Sequence, residues 1–412
     1  MKYEKLGSIF TITSGGTPLT SNREYYEKGN IPWVKTGDLK VKYLMEVPDS
    51  ITKTGLENSS AKVFPPKTVL IAMYGATIGA CSILKIAAAT NQACGAILPN
   101  ENVNEEYLYY YLSSVKQSFI NKGVGGGQPN ISATILKETK FPFIPISDQL
   151  HIANILSQAE NLIVKRKESI LLLDEFLKST FLEMFGDPVG NEKGWEINSL
   201  GKFGSLKNGL NYTRNEKGVS VRCLGVGNFK DLSKLTDIES LTILNLSSVP
   251  SIDYFLKDGD LVFVRSNGNR ELVGRCILVF PKAERVTFSG FCIRYRIEKA
   301  GIDSIFLSHL FRVPIFKKSM LQSGRGANIQ NINQQILEGL KIPIPPLALQ
   351  TKFAQIVEST EVIKAQYQSS LQELESLYGS LSQRAFKGEL RAKDGEMMMA
   401  AETEPEYNRN SQ

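Results

Sequence analysis

Residues 123–145 read GVGGGQPNISATILKETKFPFIP, and residues 324–346 read GRGANIQNINQQILEGLKIPIPP. They align without a gap at an offset of 201. Gly123 meets Gly324, Asn130 meets Asn331, Ile135-Leu136 meets Ile336-Leu337, and Pro145 meets Pro346. The match runs on through Gln149 and Gln350, Ala153 and Ala354, Ile155 and Ile356. Weaker echoes lie upstream, at Leu6-Gly7 with Leu200-Gly201 and at Gly37–Lys40 with Gly227–Lys230. Self-similarity at a fixed period constrains a fold more than any single motif. This chain is a duplicated half of about 200 residues, whose lobes diverge while the segments joining them stay alike.

Each joining segment reads as a long helix. Residues 148–185 carry Ile152, Ile155, Leu156, Ala159, Leu162, Ile163, Ile170, Leu173, Leu177 and Leu182 in steps of mostly three and four, the spacing of one helical face. At 1.5 Å per residue such a run is about 57 Å long. The second copy, 349–386, shows Phe353, Ile356, Val357, Ile363, Tyr367, Leu371, Leu374, Leu377 and Leu381. Pro142 and Pro145, like Pro343, Pro345 and Pro346, precede the helices, and Gly186 and Gly388 mark their exits. Neither is apolar all round, so each stripe needs a partner. Each helix is the other's nearest candidate, in an antiparallel coiled coil. Ile155, Leu156, Ile163, Leu173, Ile356, Ile363, Leu374 and Leu381 are the expected packing and docking positions. The alternative is that each helix is buried separately in its own lobe.

Between the helices the pattern is mixed and β-rich. Thr68–Met73 and Asp260–Val264 look like short buried strands, and Cys292–Ile297 alternates with a period of two. Glu105–Asn121 and Ser304–Leu321 read as helical. The expected class is α+β: two mixed β-rich lobes, 1–145 and 188–345, joined by two long antiparallel helices, 146–187 and 346–390, with an internal pseudo-two-fold repeat. The acidic and polar tail 391–412 is expected to be disordered.

Composition narrows the class. Apolar residues make up 42% of the chain and charged residues 22%, as in an ordinary soluble globular protein. Five cysteines, an odd number without a C-x-x-C pair, argue against a zinc ribbon or a disulfide framework and for reduced thiols in the cytoplasm. No signal-peptide stretch opens the sequence, and no apolar run is long enough for a membrane span. The net charge of +6 is unevenly spread: the two lobes carry +4 and +8, and the remaining segments −6 together. That partition favours two anion-binding lobes on a non-binding frame, against a chance fluctuation of a solvated surface.

A search for catalytic constellations returns decoys. There is no P-loop, and Gly123–Gly127 follows a helix rather than a strand. Asn30-Ile31-Pro32-Trp33 lacks the second proline of the [DN]-P-P-[YF] motif of amino-methyltransferases. Pro48-Asp49 has no nuclease [DE]-x-K at a usable distance. His151 and His309 read as solvated helix histidines.

Recognition chemistry remains. Arg265-Ser266-Asn267-Gly268-Asn269-Arg270 follows a strand. Arg can grip guanine with two hydrogen bonds and Asn can grip adenine. The positional counterpart in the first lobe is Tyr74–Gly79. Different residues at matching positions suit two readers of two half-sites; the alternative is a polar hairpin turn. Lys122, Lys317, Lys318 and Arg325 flank the Gly-rich stretches and suit phosphate neutralisation, or plain surface charge. The expected DNA-contacting set is Lys35, Thr36, Tyr74, Thr77, Lys122, Arg265, Asn267, Asn269, Arg270, Lys317, Lys318 and Arg325.

The alternation of two divergent lobes with two alike helical segments resembles the specificity (S) subunit of Type I restriction–modification systems. The stretches that carry the resemblance are Asn130-Ile131 through Ile144-Pro145, Gln149 through Leu156, Ile342–Pro346 with Gln350, and Leu381–Leu390, which ends Ala-Phe-Lys-Gly-Glu-Leu. Trp33, Gly37-Asp38 and Asn91-Gln92 also look like recurring lobe residues of that family. Ile144-Pro145-Ile146 departs from the pattern with one proline, and Leu349 stands where an acidic residue is common. The resemblance implies two target-recognition domains, each reading half of a bipartite, asymmetric double-stranded DNA target. It implies that the helices act as a ruler and dock two methyltransferase (modification) subunits, which restriction subunits then join. It implies no catalysis in this chain and no metal or cofactor of its own; S-adenosylmethionine, ATP and Mg belong to the partners. The rival classes are a fused methyltransferase or nuclease, which lacks its motifs, and a coiled-coil scaffold that binds only proteins, which the lobe charge disfavours.

Overall fold

The computed structural model describes residues 1–122, 130–212, 218–230, 234–269, 271–322 and 331–391. Gly123–Gly127, Arg270, Arg325 and nearly all of the tail lie outside the described residues. The chain forms two compact units, residues 1–167 with 370–412 and residues 168–369.

In the first lobe the strands are β1 (Tyr3–Lys5), β2 (Ile12–Ser14), β3 (Ile31–Val34), β4 (Tyr43–Leu44), β5 (Ser50–Ile51), β6 (Val63–Phe64), β7 (Val69–Ala72), β8 (Cys81–Leu84), β9 (Ala88–Thr90), β10 (Cys94–Ile97) and β11 (Lys140–Pro142). The helices are α1 (Leu6–Ile9), α2 (Lys53–Glu57), α3 (Glu105–Ser114), α4 (Lys116–Lys122), α5 (Ala133–Glu138) and the long α6 (Ile146–Phe185). A five-stranded sheet runs β2-β10-β7-β8-β4 and a four-stranded sheet β5-β3-β9-β6. β7, β8 and β10 are buried along their whole length. That is why β7 reads as an unbroken apolar run rather than an alternating one. β1 pairs with β11, with Glu4 opposite Phe141, and so ties the start of the lobe to the strand that precedes α6.

The second lobe contains β12 (Glu196–Ser199), β13 (Gly204–Asn208), β14 (Val219–Leu224), β15 (Lys234–Leu235), β16 (Thr242–Leu246), β17 (Asp260–Val264), β18 (Cys276–Val279), β19 (Val286–Phe288), β20 (Cys292–Ile297) and β21 (Lys341–Ile344). Its helices are α7 (Ser304–Leu310), α8 (Pro314–Gln322) and α9 (Gln334–Gly339), followed by the long α10 (Leu347–Lys387). Its five-stranded sheet, β13-β20-β17-β18-β15, repeats the first lobe's order strand for strand. Both sheets end in a parallel pair, β4 with β8 and β15 with β18. The duplication therefore reaches into the lobes where the sequence similarity has faded. The two helical patterns inside the lobes are each broken in two, at Val115 and before Pro314, whose ring cannot continue a helix.

Both long helices exist, with ends within two residues of those expected, and both stop at a glycine with positive φ, Gly186 at 76° and Gly388 at 85°. They run antiparallel. In the first unit Lys167 pairs with Glu375 at 2.8 Å, and Ala385 shares a core with Ile152, Ala153 and Leu156. In the second, Lys364 pairs with Asp174 at 2.6 Å, and Phe353 packs on Phe181 and Phe185. Aromatic rings anchor α10 to the first lobe and both helices to the second. Tyr107, Tyr111 and Phe141 gather with Phe386, and Phe306 stacks on Phe181. The Tyr3 hydroxyl donates to the Phe386 carbonyl at 3.0 Å.

The expected stripe divides by role. Leu156 lies in the core of the first unit, and Leu381 packs against it. Ile356 packs against the core of the second. Ile155, Ile163, Leu173 and Leu374 are half-buried. Ile363 is 40% exposed, as are Leu162, Leu182 and Leu377 to a greater degree, which corrects their assignment to a buried seam. The helix ends bury their stripe in the lobes, so the middle turns around Leu162 and Ile363 have fewer neighbours to cover them.

All five cysteines are buried and free. Burial pushes the thiols of Cys81, Cys94, Cys223 and Cys276 up to about 12. Among the described residues, no helix is long and apolar enough to cross a membrane.

Candidate nucleic-acid interface

Strand pairing gathers scattered loops at one end of each lobe. In the first lobe β7 runs antiparallel to β10, with Ala72 opposite Cys94. The loop after β7 and the residues before β10 thus share an end, joined by the bond from Met73 N–H to the Ala93 carbonyl at 2.9 Å. β3 runs parallel to β9, so Lys35-Thr36 after one strand lie beside Asn91-Gln92 after the other. Asn91 N–H closes on the Val34 carbonyl at 3.0 Å. The Thr17 hydroxyl bonds Gln92 Oε1. Asn130 bridges to Tyr74, and Ile131 N–H donates to the Met73 carbonyl.

The second lobe builds the same end. Gly274 N–H donates to the Val264 carbonyl at 3.0 Å, as Gly79 does to Ala72 at 2.8 Å, so the two loops leave equivalent strands in the same way. The loop 265–274 is longer than its counterpart 73–79. Ser266 bridges Asn331, and Ile332 N–H donates to the Arg265 carbonyl. The turn after β14 is closed by Gly225 N–H on Asn228 Oδ1 at 3.0 Å, matching Lys35 N–H on Asp38 Oδ2 at 2.7 Å. Where the chain crosses between sheets only glycine fits. A Cβ on Gly15 would sit 2.0 Å from the Thr90 carbonyl oxygen, and one on Gly209 2.1 Å from that of Ser289.

The expected contact residues fall into three groups. Lys35, Thr36, Tyr74 and Thr77 come together at the first lobe's loop end, all partly exposed. Lys35 is paired with Asp49 at 2.8 Å and lies over the Trp33 ring. Arg265, Asn267 and Asn269 lie at the second lobe's loop end. There Asn267 Oδ1 accepts from Asn269 N–H at 2.7 Å, and Asn269 Oδ1 from Glu271 N–H at 3.0 Å. Their acceptors shape the loop. Lys317 Nζ donates to the Glu271 carbonyl at 2.9 Å and braces the base of this loop, with burial, then Arg275, lowering its pKa. Lys318 is exposed. Arg270, Arg325 and the side chain of Lys122, at the end of α4, lie outside the described residues.

Thr17, Gln92 and Phe291 also stand at these ends, outside the expected contact set. Thr17 and Gln92 meet across 75 residues of sequence. Phe291 is 62% exposed, and its carbonyl accepts from Arg265 N–H at 2.8 Å. A lone aromatic after Ser289-Gly290 carried no signal, because only the β17–β20 pairing brings it beside Arg265.

His309 is not the solvated histidine expected. Its ring stands edge-on to Phe353 at 5.1 Å, and burial, then Arg312, pushes its pKa down to about 3. It lines a cavity of about 410 Å³ with Asp174, Phe181, Arg312, Glu361 and Lys364.

The family described as Type I restriction modification DNA specificity domain matches residues 1–172 and again 192–375. The Type I restriction enzyme MjaIX specificity subunit of Methanocaldococcus jannaschii is 27% identical over 95% of this chain and 94% of its own length. The StySPI specificity subunit of Salmonella potsdam is 23% identical over 87% and 81%. The S subunit from M. genitalium shares the fold with a TM-score of 0.51 at 16% identity, over 93% of this chain and 96% of its own. A chain solved in work on complex assembly and conformational transition of the type I R-M system shares it at 0.60 and 17% identity, over 94% and 98%. With both of its halves matched, the chain belongs to the Type I restriction modification DNA specificity domain family.

Proposed function

We propose that this chain is the sequence-specific DNA-binding subunit of a Type I restriction–modification complex, with lobes 1–145 and 188–345 each reading one half of a bipartite target. The observation that carries this is the pair of equivalent loop ends. One backbone scaffold, built twice, presents Lys35, Thr36, Tyr74, Thr77 and Gln92 in one copy and Arg265, Asn267, Asn269 and Phe291 in the other. A shared scaffold with different polar tips is what direct readout of two different base sequences requires.

The helices serve as the spacer and as the docking surface for two modification subunits, to which restriction subunits attach. Leu171, Leu172 and Phe176 on α6 and Val362 on α10 are 47–65% exposed and offer apolar side chains to a partner. The chain itself has no catalytic role. The methyl donor, ATP and Mg belong to the partner subunits, and the complex works in the cytoplasm, where the buried thiols stay reduced. Methylome sequencing of a host with and without this chain tests the reading. The expected result is a two-part methylated motif that disappears with the chain; an unchanged methylome sinks the proposal.

A further inference from the structure

Gln149 and Gln350 match in the repeat, and each makes the same three hydrogen bonds. Both side chains are fully buried, at 0% exposure. Gln149 Oε1 accepts from Asn104 N–H at 2.9 Å, and its Nε2 donates to the carbonyls of Asn102 at 2.9 Å and Ile144 at 2.8 Å. Gln350 Oε1 accepts from Asp303 N–H at 2.8 Å, and its Nε2 donates to the carbonyls of Gly301 at 3.2 Å and Pro345 at 2.8 Å. Every partner is backbone, and each amide draws them from two places. One is the loop that starts the lobe's own helix, α3 or α7, whose caps are Asn104 and Asp303. The other is the segment that leads into the long helix. One amide in the first turn of α6 or α10 thus fixes that helix to its lobe in three directions at once.

We infer that Gln149 and Gln350 are positioning residues that hold each recognition lobe at a set angle on its helix and thereby determine which half-site separation the chain accepts. This rests on the function proposed above. A lobe of this size is about 35 Å across. A tilt of about 6° at one side therefore moves the other by roughly the 3.4 Å of one base-pair step. Small rotations at this joint are read out as whole base pairs. Burial of the amide away from water keeps all three bonds in force, since any bond lost leaves a buried group unpaired.

The test uses the complex of the full chain with its modification subunits. The substrates are duplexes carrying both mapped half-sequences, with gaps from two base pairs shorter to two longer than the natural one. The native complex is expected to prefer one gap by about tenfold or more, the scale of a single mismatch. Gln149→Met keeps the volume and removes all three bonds. It is expected to flatten that preference to within about threefold while discrimination within each half-sequence is kept, and Gln350→Met to do the same. A gap profile that keeps its shape in an assembled variant complex, whether at full or uniformly reduced activity, overturns the inference. If the Met variants do not fold, Gln149→Glu replaces them. The carboxyl can replace at most one of the two donor bonds, and only when protonated, so gap preference is expected to be flatter than the native one at every pH; a preference as sharp as the native one overturns the inference. A native chain whose targets are not two half-sequences about a fixed gap overturns the proposed function instead.

Discussion

Ile332 donates its backbone N–H to the carbonyl of Arg265 at 2.9 Å. Ile131 makes the same bond to Met73 in the other lobe, so a feature of the repeated segment holds the base of each divergent loop. The shared part of the sequence sets where the loop stands, and the unshared part sets what it presents.

Specificity is therefore expected to be modular. Exchanging residues 1–145 for the equivalent lobe of another such chain changes one half of the methylated motif and leaves the other intact. Methylation mapping of the hybrid reads this directly. A change in both halves contradicts the one-lobe, one-half arrangement.

Within the second lobe, Arg265→Ala and Phe291→Ala are each expected to weaken specific binding by about 1–3 kcal/mol and to relax selectivity in the second half-sequence alone. Binding curves against duplexes varied one base pair at a time supply the measurement. Equal loss on every sequence would make Arg265 a phosphate contact rather than a reader of bases.

Two leucines on α6 separate folding from assembly. Leu156 is fully buried, so Leu156→Asp leaves a carboxylate without a partner in the core, at a cost of several kcal/mol. A fall of many degrees in melting temperature follows. Leu171 is 65% exposed. Leu171→Asp is expected to leave the melting temperature nearly unchanged and to reduce capture of the modification subunits in size-exclusion runs. Unaltered capture would place docking on another face.

His309 predicts a pH dependence of stability. Its pKa in the fold is about 3, below the ordinary 6.5, so folding favours the neutral ring. That contribution is complete above pH 6.5 and declines as the pH falls from 6.5 toward 3. Around it stand Arg312, Lys178 and Lys364 with Asp174 and Glu361. His309→Asn is expected to lose less stability than the native chain between pH 6.5 and 5, above the range where most carboxylates titrate. Parallel melting curves across that window would expose a mistaken assignment.

The long helices were legible because thirty-eight or so residues without Pro, and with Gly379 as the single Gly in the two runs, leave only one regular structure for an apolar 3–4 spacing. The lobes were legible only in part. Val69–Ala72 announces a buried strand, but nothing in the sequence says that Val34 lies beside Thr90, a parallel pairing across a long connection. Without that pairing, Lys35 and Gln92 are unrelated residues. Gln149 was visible as a match to Gln350 and silent about its task, since its partners are backbone groups that any residue type carries. His309 was misjudged because the ring that covers it, Phe353, comes from another helix.

The bond from Tyr3 to Phe386 has a topological meaning. The start of β1 and the end of α10 touch, so the backbone path closes on itself at that point. A short linker could join them without disturbing a strand. The turn between α6 and β12, around Gly190–Gly194, could then be cut instead. Such a rewired chain would present its halves in the opposite order along the polypeptide and still contain every helix and every sheet pairing.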